Sequence, residues 1–254
     1  MKYLEVLESY NLSALQWIAI CFAVFLLGLS KSGIKGIGIV LVIILAFVFG
    51  EKASTGVLLP MLICADIMAV VYYNRHANWI YIKRLMPWMV VGVLFGVWLG
   101  NYISETLFKK IMAIIIIASV FTMFYTERRS SANVPKHRLF SISAGFFAGF
   151  STMIGNLAGP IANIYFLAMR LPKNEFIGTV AWLFFIINII KLPFHFLVWK
   201  TVTKDTLILN SVLIPVIVIS FLSGTWIVKQ ISNVHYRRLI LIMTAAGGLF
   251  MLFR

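Results

Sequence analysis

Charged and amide side chains lie deep inside apolar stretches of this sequence at three positions. Asp66 lies near the middle of the stretch 54–73 and is the one acidic residue placed so deeply. Lys191 follows Asn188 by three residues in the stretch 176–198, so both side chains share one face of a helix. An ionisable group in a membrane is costly and usually faces a cavity or a partner. We therefore expect Asp66 to carry a coupling proton, and Lys191 to bind an anion or to pair with Asp66.

Other roles for these residues stay open. Asp66 could hydrogen-bond a neighbouring broken helix, and the ammonium of Lys191 could extend to the nearer membrane interface. A membrane-embedded enzyme that uses Asp66 and His195 is an alternative function, and so is a membrane scaffold or sensor that transports nothing. The sequence has no cluster of His, Cys or carboxylate residues at the spacing of a metal site. No metal ion and no cofactor are expected.

Two polar, glycine-rich segments interrupt the apolar sequence, at residues 30–36 and 151–160. An unwound segment exposes backbone N–H groups, and the helix that follows adds the positive end of its dipole, so two such breaks can form an anion site. Helix packing through small residues is the alternative explanation, but it does not account for Lys31 and Asn156. The residues expected to bind the anion are Ser30, Lys31, Ser32, Gly33, Thr152, Gly155, Asn156, Asn188 and Lys191.

The breaks need long apolar helices to position them, and the composition provides these. Of 254 residues, 61% are hydrophobic and 12% are charged, whereas soluble domains carry about 25% charged residues. A cytosolic enzyme, a disordered tail and a secreted disulfide scaffold are thereby excluded. The net charge of +14 comes from basic residues in short gaps between apolar stretches. This placement indicates contact with a lipid bilayer rather than with nucleic acid.

Ten apolar stretches predict an all-α polytopic membrane protein. A helix needs about 20 apolar residues to cross the hydrocarbon core, and the stretches lack the alternation that a membrane β-barrel requires. Eight stretches are clear candidates, and two others, of 15 and 13 residues, each follow a break. The eight are 12–30, 54–73, 86–102, 109–126, 139–153, 176–198, 206–228 and 236–253, and the short ones are 36–50 and 157–169.

The two halves of the sequence also match each other. Gly33, Gly56 and Asp66 correspond to Gly155, Gly178 and Asn188 at an offset of 122, and later matches have an offset of 128. We predict one transporter domain over 1–253 with two repeats of four to five membrane segments each, at about 12–126 and 139–253. The linker is 127–138. Chance similarity between glycine-rich helices is the alternative.

The distribution of basic residues depends on whether the short stretches cross the membrane. If they cross, the repeats are inverted, and Lys and Arg divide 14 to 7 between the two sides. If they are re-entrant, the repeats are parallel and the division is 11 to 8. The positive-inside rule favours inverted repeats with both termini outside.

Several motifs resemble the sulfite exporter TauE/SafE family of membrane permeases over residues 25–253. They are LSKSG at 29–33, STGVLLP at 54–60, ADIMAV at 65–70, GNLAGP at 155–160, YFLAM at 165–169 and LPKNEFIGT at 171–179.

This resemblance implies a secondary transporter, an exporter or permease, for a small sulfur-containing or organic anion such as sulfite, sulfonate or sulfoacetate. It implies the bacterial cytoplasmic membrane. The two repeats are expected to rock about the fixed site, which gives alternating access. Coupling to protons or to the membrane potential would drive the transport, without an ATPase. Association with a second copy of this chain, to form a homodimer, stays open.

Overall fold

The protein is helical throughout the part that the structure describes. The computed structural model describes residues 2–128, 138–169, 171–232 and 235. Within these ranges the ten α-helices are α1 (Lys2–Ser9), α2 (Ala14–Ser32), α3 (Gly38–Phe49), α4 (Glu51–Tyr73), α5 (Trp79–Tyr102), α6 (Glu105–Arg128), α7 (Arg138–Gly155), α8 (Ala158–Ala168), α9 (Lys173–Pro193) and α10 (Lys204–Gln230). A 3-10 turn (Asn74–His76) follows α4, and a π-helical turn (Phe194–Val198) follows α9.

Length and composition make this a multi-span membrane protein. Five of the described helical segments are long and apolar enough to cross a membrane: Ala14–Ser32, Glu51–His76, Trp79–Tyr102, Lys173–Val198 and Lys204–Gln230. Large apolar side chains such as Phe22, Trp98 and Trp226 are more than half exposed, at 52%, 57% and 66%. Exposure on this scale suits a surface in contact with lipid rather than water.

Nine of the ten predicted stretches correspond to α2–α10, and the tenth, 236–253, lies outside the described residues, as does most of the linker 127–138. The largest difference is at α5, which begins at Trp79 rather than Met86. The Asn78 side chain accepts a hydrogen bond from the backbone N–H of Ile80 at 3.2 Å and starts the helix there. The first turns of α5 then carry Lys83 and Arg84 exposed at the surface.

The breaks are narrower than the sequence predicted. The first covers residues 33–37 and the second residues 156–157, instead of 30–36 and 151–160. Ser32 and Ser151 remain helical, because the backbone leaves the helix only where φ becomes positive, at Gly33 (130°) and Asn156 (56°). Pro160 lies in the first turn of α8, where a helix tolerates proline.

Three helix pairs hold the bundle together: α2 packs along α10, α7 packs along α5, and α4 packs against α9 at the centre. Glycine allows the first two pairs to approach closely. A Cβ on Gly28 of α2 would overlap Ile217 O of α10, and a Cβ on Gly149 of α7 would overlap Met89 O of α5. Backbones at this separation have no room for a side chain.

The bundle has two distinguishable ends. At one end Asn78 Nδ2 donates to Glu175 Oε1 at 2.6 Å, which joins the starts of α5 and α9. At the other end Lys52 Nζ donates to Gly100 O at 2.9 Å, which joins the start of α4 to the end of α5. We call these the Asn78 end and the Lys52 end.

The short helices α3 and α8 run between these ends in opposite directions. The hydroxyl of Tyr73 donates to Ser32 O at 2.8 Å, so α2 finishes toward the Asn78 end and α3 leads back to Gly50 beside α4. Asn156 Nδ2 donates to Thr55 O at 3.1 Å near the Lys52 end. From there α8 leads toward the start of α9 at the Asn78 end.

Candidate functional site

A small cavity of about 70 Å³ lies between the two breaks. A water needs about 10–15 Å³ of such space, so the cavity can hold several waters or one small polyatomic anion. Both breaks and the helices around them contribute to its wall. The polar side chains that line it are Ser30, Lys31, Lys35, Thr152, Asn156, Asn163 and Asn188, and most of the other lining residues are apolar.

Lys31, which lines the cavity, forms a buried ion pair. Lys31 Nζ of α2 contacts Asp66 Oδ1 of α4 at 2.6 Å, and the Asp66 side chain is fully buried. Asp66 Oδ2 accepts a second hydrogen bond, from Asn188 Nδ2 of α9 at 2.7 Å. The Lys31 ammonium also lies 4.7 Å from the centre of the Phe184 ring, a cation–π contact. Lys31, which lies next to the first break, therefore contacts both helices of the central pair, α4 and α9.

Lys191 belongs to the same hydrogen-bond network but lies behind the cavity wall. Its ammonium donates to Thr152 Oγ1 at 3.1 Å, to Asn156 Oδ1 at 2.5 Å and to Asn188 Oδ1 at 3.3 Å. These bonds use its three donors. The partner of Asp66 is thus Lys31 and not Lys191, because Lys191 lies one turn beyond Asn188 and points to the second break. The network links the two breaks through α4 and α9.

Two helix N-termini also reach the cavity. Neither α3 nor α8 has a side-chain cap at its start, and their first residues, Gly38, Ile39, Ala158 and Gly159, line the cavity. Asn156, which precedes α8, has a φ of 56°, a left-handed conformation that asparagine tolerates well. The first N–H groups of a helix have no partner within the helix. The two starts therefore present N–H donors and positive dipole ends to a ligand.

The structure does not bring every predicted residue to the cavity. Ser30, Lys31, Thr152, Asn156 and Asn188 line it, whereas the others lie elsewhere. Ser32 packs against Gly224 of α10, Gly33 lies against Ile177 and Val228, and Gly155 lies near Met112 and Leu157. Lys191 does not line the cavity but donates to three residues that do, Thr152, Asn156 and Asn188.

Two polar side chains that line the cavity were missing from the predicted set. Lys35 is 5% exposed and donates from Nζ to Ser30 O at 3.2 Å, and Asn163 of α8 is 4% exposed. Lys35 lies inside the predicted first break, so its position there was a usable signal. Asn163 is an amide within the short apolar stretch 157–169, which was a second signal.

The residues of the alternative enzyme are not joined by a hydrogen bond in the described part of the chain. His195 Nδ1 lies 2.8 Å from Thr201 Oγ1, and its ring packs edge-on against Trp199. Asp66 instead contacts Lys31 and Asn188. Among the residues that the structure describes, no group of three His, Cys, Asp or Glu side chains could hold a metal ion.

The charges around the cavity suit an anion. Lys31 is balanced by Asp66, whereas Lys35 forms no ion pair within the described residues. The helix starts add further positive potential. A buried cation without a partner is costly, so a small negative ligand would stabilise this arrangement.

Comparison with known proteins agrees with the motifs in the sequence. The family model described as Sulfite exporter TauE/SafE matches residues 20–251, which include both breaks and all of the cavity lining. Searches of curated proteins and of solved structures gave no match. The match confirms the resemblance and places the chain among transporters rather than enzymes. The chain belongs to the sulfite exporter TauE/SafE family, as a multi-pass protein of the cytoplasmic membrane.

Proposed function

We propose that this protein is a secondary transporter that carries a small sulfur-containing or organic anion, such as sulfite or a sulfonate, through the cavity between the breaks. The main support is the wall of that cavity. It combines Lys31, Lys35 and two uncapped helix starts within about 70 Å³. Thr152, Asn156 and Asn188 add hydroxyl and amide groups, while Lys191 positions all three.

We further propose that two inverted repeats, at about 12–126 and 139–253, move against each other around this cavity. Equivalent contacts support the proposal. The close approach of Gly28 to Ile217 has a counterpart in the approach of Gly149 to Met89. Gly28 is equivalent to Gly149 at an offset of 121, and Met89 is equivalent to Ile217 at an offset of 128. Asp66 and Asn188, equivalent at 122, contact each other. Contact between equivalent residues is what a pseudo-two-fold axis passing near them would produce. Rocking about a fixed site then gives alternating access.

Asp66 is proposed to couple transport to a proton. While Asp66 is ionised, its carboxylate holds the ammonium of Lys31 at 2.6 Å. Protonation would remove that attraction and free Lys31 to contact the substrate. Anion binding is therefore expected to strengthen as the pH falls on the side from which the substrate enters.

Flux measurements in proteoliposomes test these roles. Ethanesulfonate is a suitable probe because its own charge does not change between pH 6 and pH 8. Wild-type uptake should rise as the pH falls, Lys31→Met should lose most of its uptake, and Asp66→Asn should retain uptake that no longer depends on pH. Lys109→Met is the control, because Lys109 is an exposed lysine in a surface ion pair.

Each outcome bears on a separate statement. Wild-type flux in both Lys31→Met and Asp66→Asn would overturn the residue roles. Absence of flux for every sulfonate, sulfite and small carboxylate tested would overturn the transporter itself and favour the scaffold or sensor.

A further inference from the structure

Asn163 is a polar side chain in the cavity wall without a matching partner. It is 4% exposed, and its Oδ1 accepts no hydrogen bond from any described group of the protein. Apart from it, the side chains that α3 and α8 contribute to the wall are apolar, as in Ile39, Leu41 and Val42. A buried acceptor without a partner is unfavourable. Its placement in this wall therefore needs an explanation in terms of what enters the cavity.

The remaining groups of the wall do not supply that partner. Neither ammonium of the wall donates to Asn163 Oδ1: Lys35 Nζ donates to Ser30 O, and Lys31 Nζ donates to Asp66 Oδ1. Both lysines and the helix starts present donors to the cavity, and donors are satisfied by the oxygens of an anion. An anion that has acceptor atoms alone would accept hydrogen bonds from the two lysines but would leave Asn163 Oδ1 unpaired. A ligand that also carries an O–H or N–H group would satisfy both.

We propose that Asn163 selects a small anion that also bears a hydrogen-bond donor, and that Lys35 binds the anionic oxygens of the same molecule. This inference rests on the proposed transport function and narrows its substrate class. The hydroxyl or amino group of the substrate donates to Asn163 Oδ1. Its sulfonate or carboxylate lies against Lys35 and the start of α8.

Two probes that differ by one hydroxyl test this selection: 2-hydroxyethanesulfonate and ethanesulfonate. Loss of a hydrogen bond to a buried group discriminates strongly between such analogues. Wild-type protein should therefore favour the hydroxylated probe in KM by about ten-fold or more. Asn163→Leu should remove most of that preference while ethanesulfonate uptake persists. Thermal unfolding with each probe gives the same comparison without transport, because a bound ligand stabilises the folded state.

Asn210 provides a matched control. It is also a buried asparagine, at 6% exposure, and its amide atoms have no hydrogen-bond partner in the described structure, but it does not line the cavity. Asn210→Leu should keep the wild-type preference. An undiminished preference in Asn163→Leu, or equal handling of both probes by the wild type, would overturn the selection by Asn163 while leaving transport intact. Failure of the wild type to transport either probe or sulfite would instead overturn the proposed function.

Discussion

The ion pair between Lys31 and Asp66 is where substrate binding and proton coupling would meet. Both side chains are buried, at 7% and 0% exposure, so each charge depends on the other for its stability in the membrane. Asn188 supports the carboxylate from the side away from Lys31. Removal of one member of such a pair is strongly destabilising, because the other charge is then buried without compensation. The pair is therefore suited to act as a switch. Lys31 and Asp66 would separate only when a proton neutralises Asp66 or an anion replaces Asp66 beside Lys31.

This dependence predicts a specific pattern of stabilities. Lys31→Met leaves the Asp66 carboxylate buried without its cation and should lower the free energy of unfolding by about 3–5 kcal/mol. Adding Asp66→Leu should recover most of that loss, because neither charge then remains. Unfolding with denaturant in mixed micelles measures both values.

The exposed pair of Lys109 and Glu51, at 3.1 Å, is the comparison. Lys109→Met should cost less than about 1 kcal/mol, since solvent screens a surface pair. A double variant of Lys31 and Asp66 whose loss equals the sum of the two single losses would contradict the coupling.

At the scale of the helices, close packing through glycine fixes the two pairs that carry the breaks. α2 rests on α10 and α7 rests on α5, and each contact is made within about two turns of the break that follows. The position of each break relative to the cavity therefore depends on the distance between the backbones of the two packed helices. Small residues allow that separation and larger ones would change it.

Substitution of one glycine should consequently disturb the fold. Gly149→Ala places a methyl group against Met89 O and should cost about 1–3 kcal/mol, the usual range for overpacking. Gly28→Ala should cost a similar amount, because its Cβ would overlap Ile217 O in the equivalent contact. Thermal unfolding in detergent compares the variants.

Gly159→Ala serves as the control, since a Cβ there meets nothing within 4 Å and alanine favours the helix. Stability equal to wild type in both Gly28→Ala and Gly149→Ala would show that the contacts are less close than the structure indicates.

The elements could be predicted from sequence better than the site. Continuous apolar stretches predict the helices α2–α10, including the short α3 and α8, but the helix ends depend on local bonds such as the Asn78 cap. The breaks are shorter than the sequence predicts, because polar residues such as Ser32 and Ser151 can still belong to the flanking helix, which ends only where φ becomes positive. Asp66, Asn188 and Lys191 could be recognised from the sequence, because a polar or charged side chain inside the membrane is energetically costly. Which lysine pairs with Asp66, and which wall Asn163 faces, depend on how helices distant in sequence are placed, and spacing carries no such information. The functional roles stay predictions.

At the scale of the whole molecule, the placement of the bundle ends agrees with the predicted crossing of the membrane by the short helices α3 and α8. The hydrogen bond of Asn78 to Glu175 joins the segments 74–84 and 170–175 at one end. The Cβ of Gly56 would overlap Thr201, which joins the start of α4 to the segment 199–205 at the other. Re-entrant short helices would instead separate 74–84 from 170–175 by the thickness of the membrane. The basic residues also concentrate at the Asn78 end under the crossing arrangement, in agreement with the positive-inside rule.

Single cysteines can test this topology directly. Lys83 and Lys204 are exposed, and they lie near the Asn78 end and the Lys52 end. In a background with Cys21→Ser and Cys64→Ser, Lys83→Cys should react with a membrane-impermeant maleimide only after the membrane is opened. Lys204→Cys should react in intact cells, because five crossings per repeat place the two residues on opposite sides. Four crossings per repeat place both on the same side, so labelling of both cysteines from one side would contradict the inverted arrangement and the shared axis through Asp66 and Asn188.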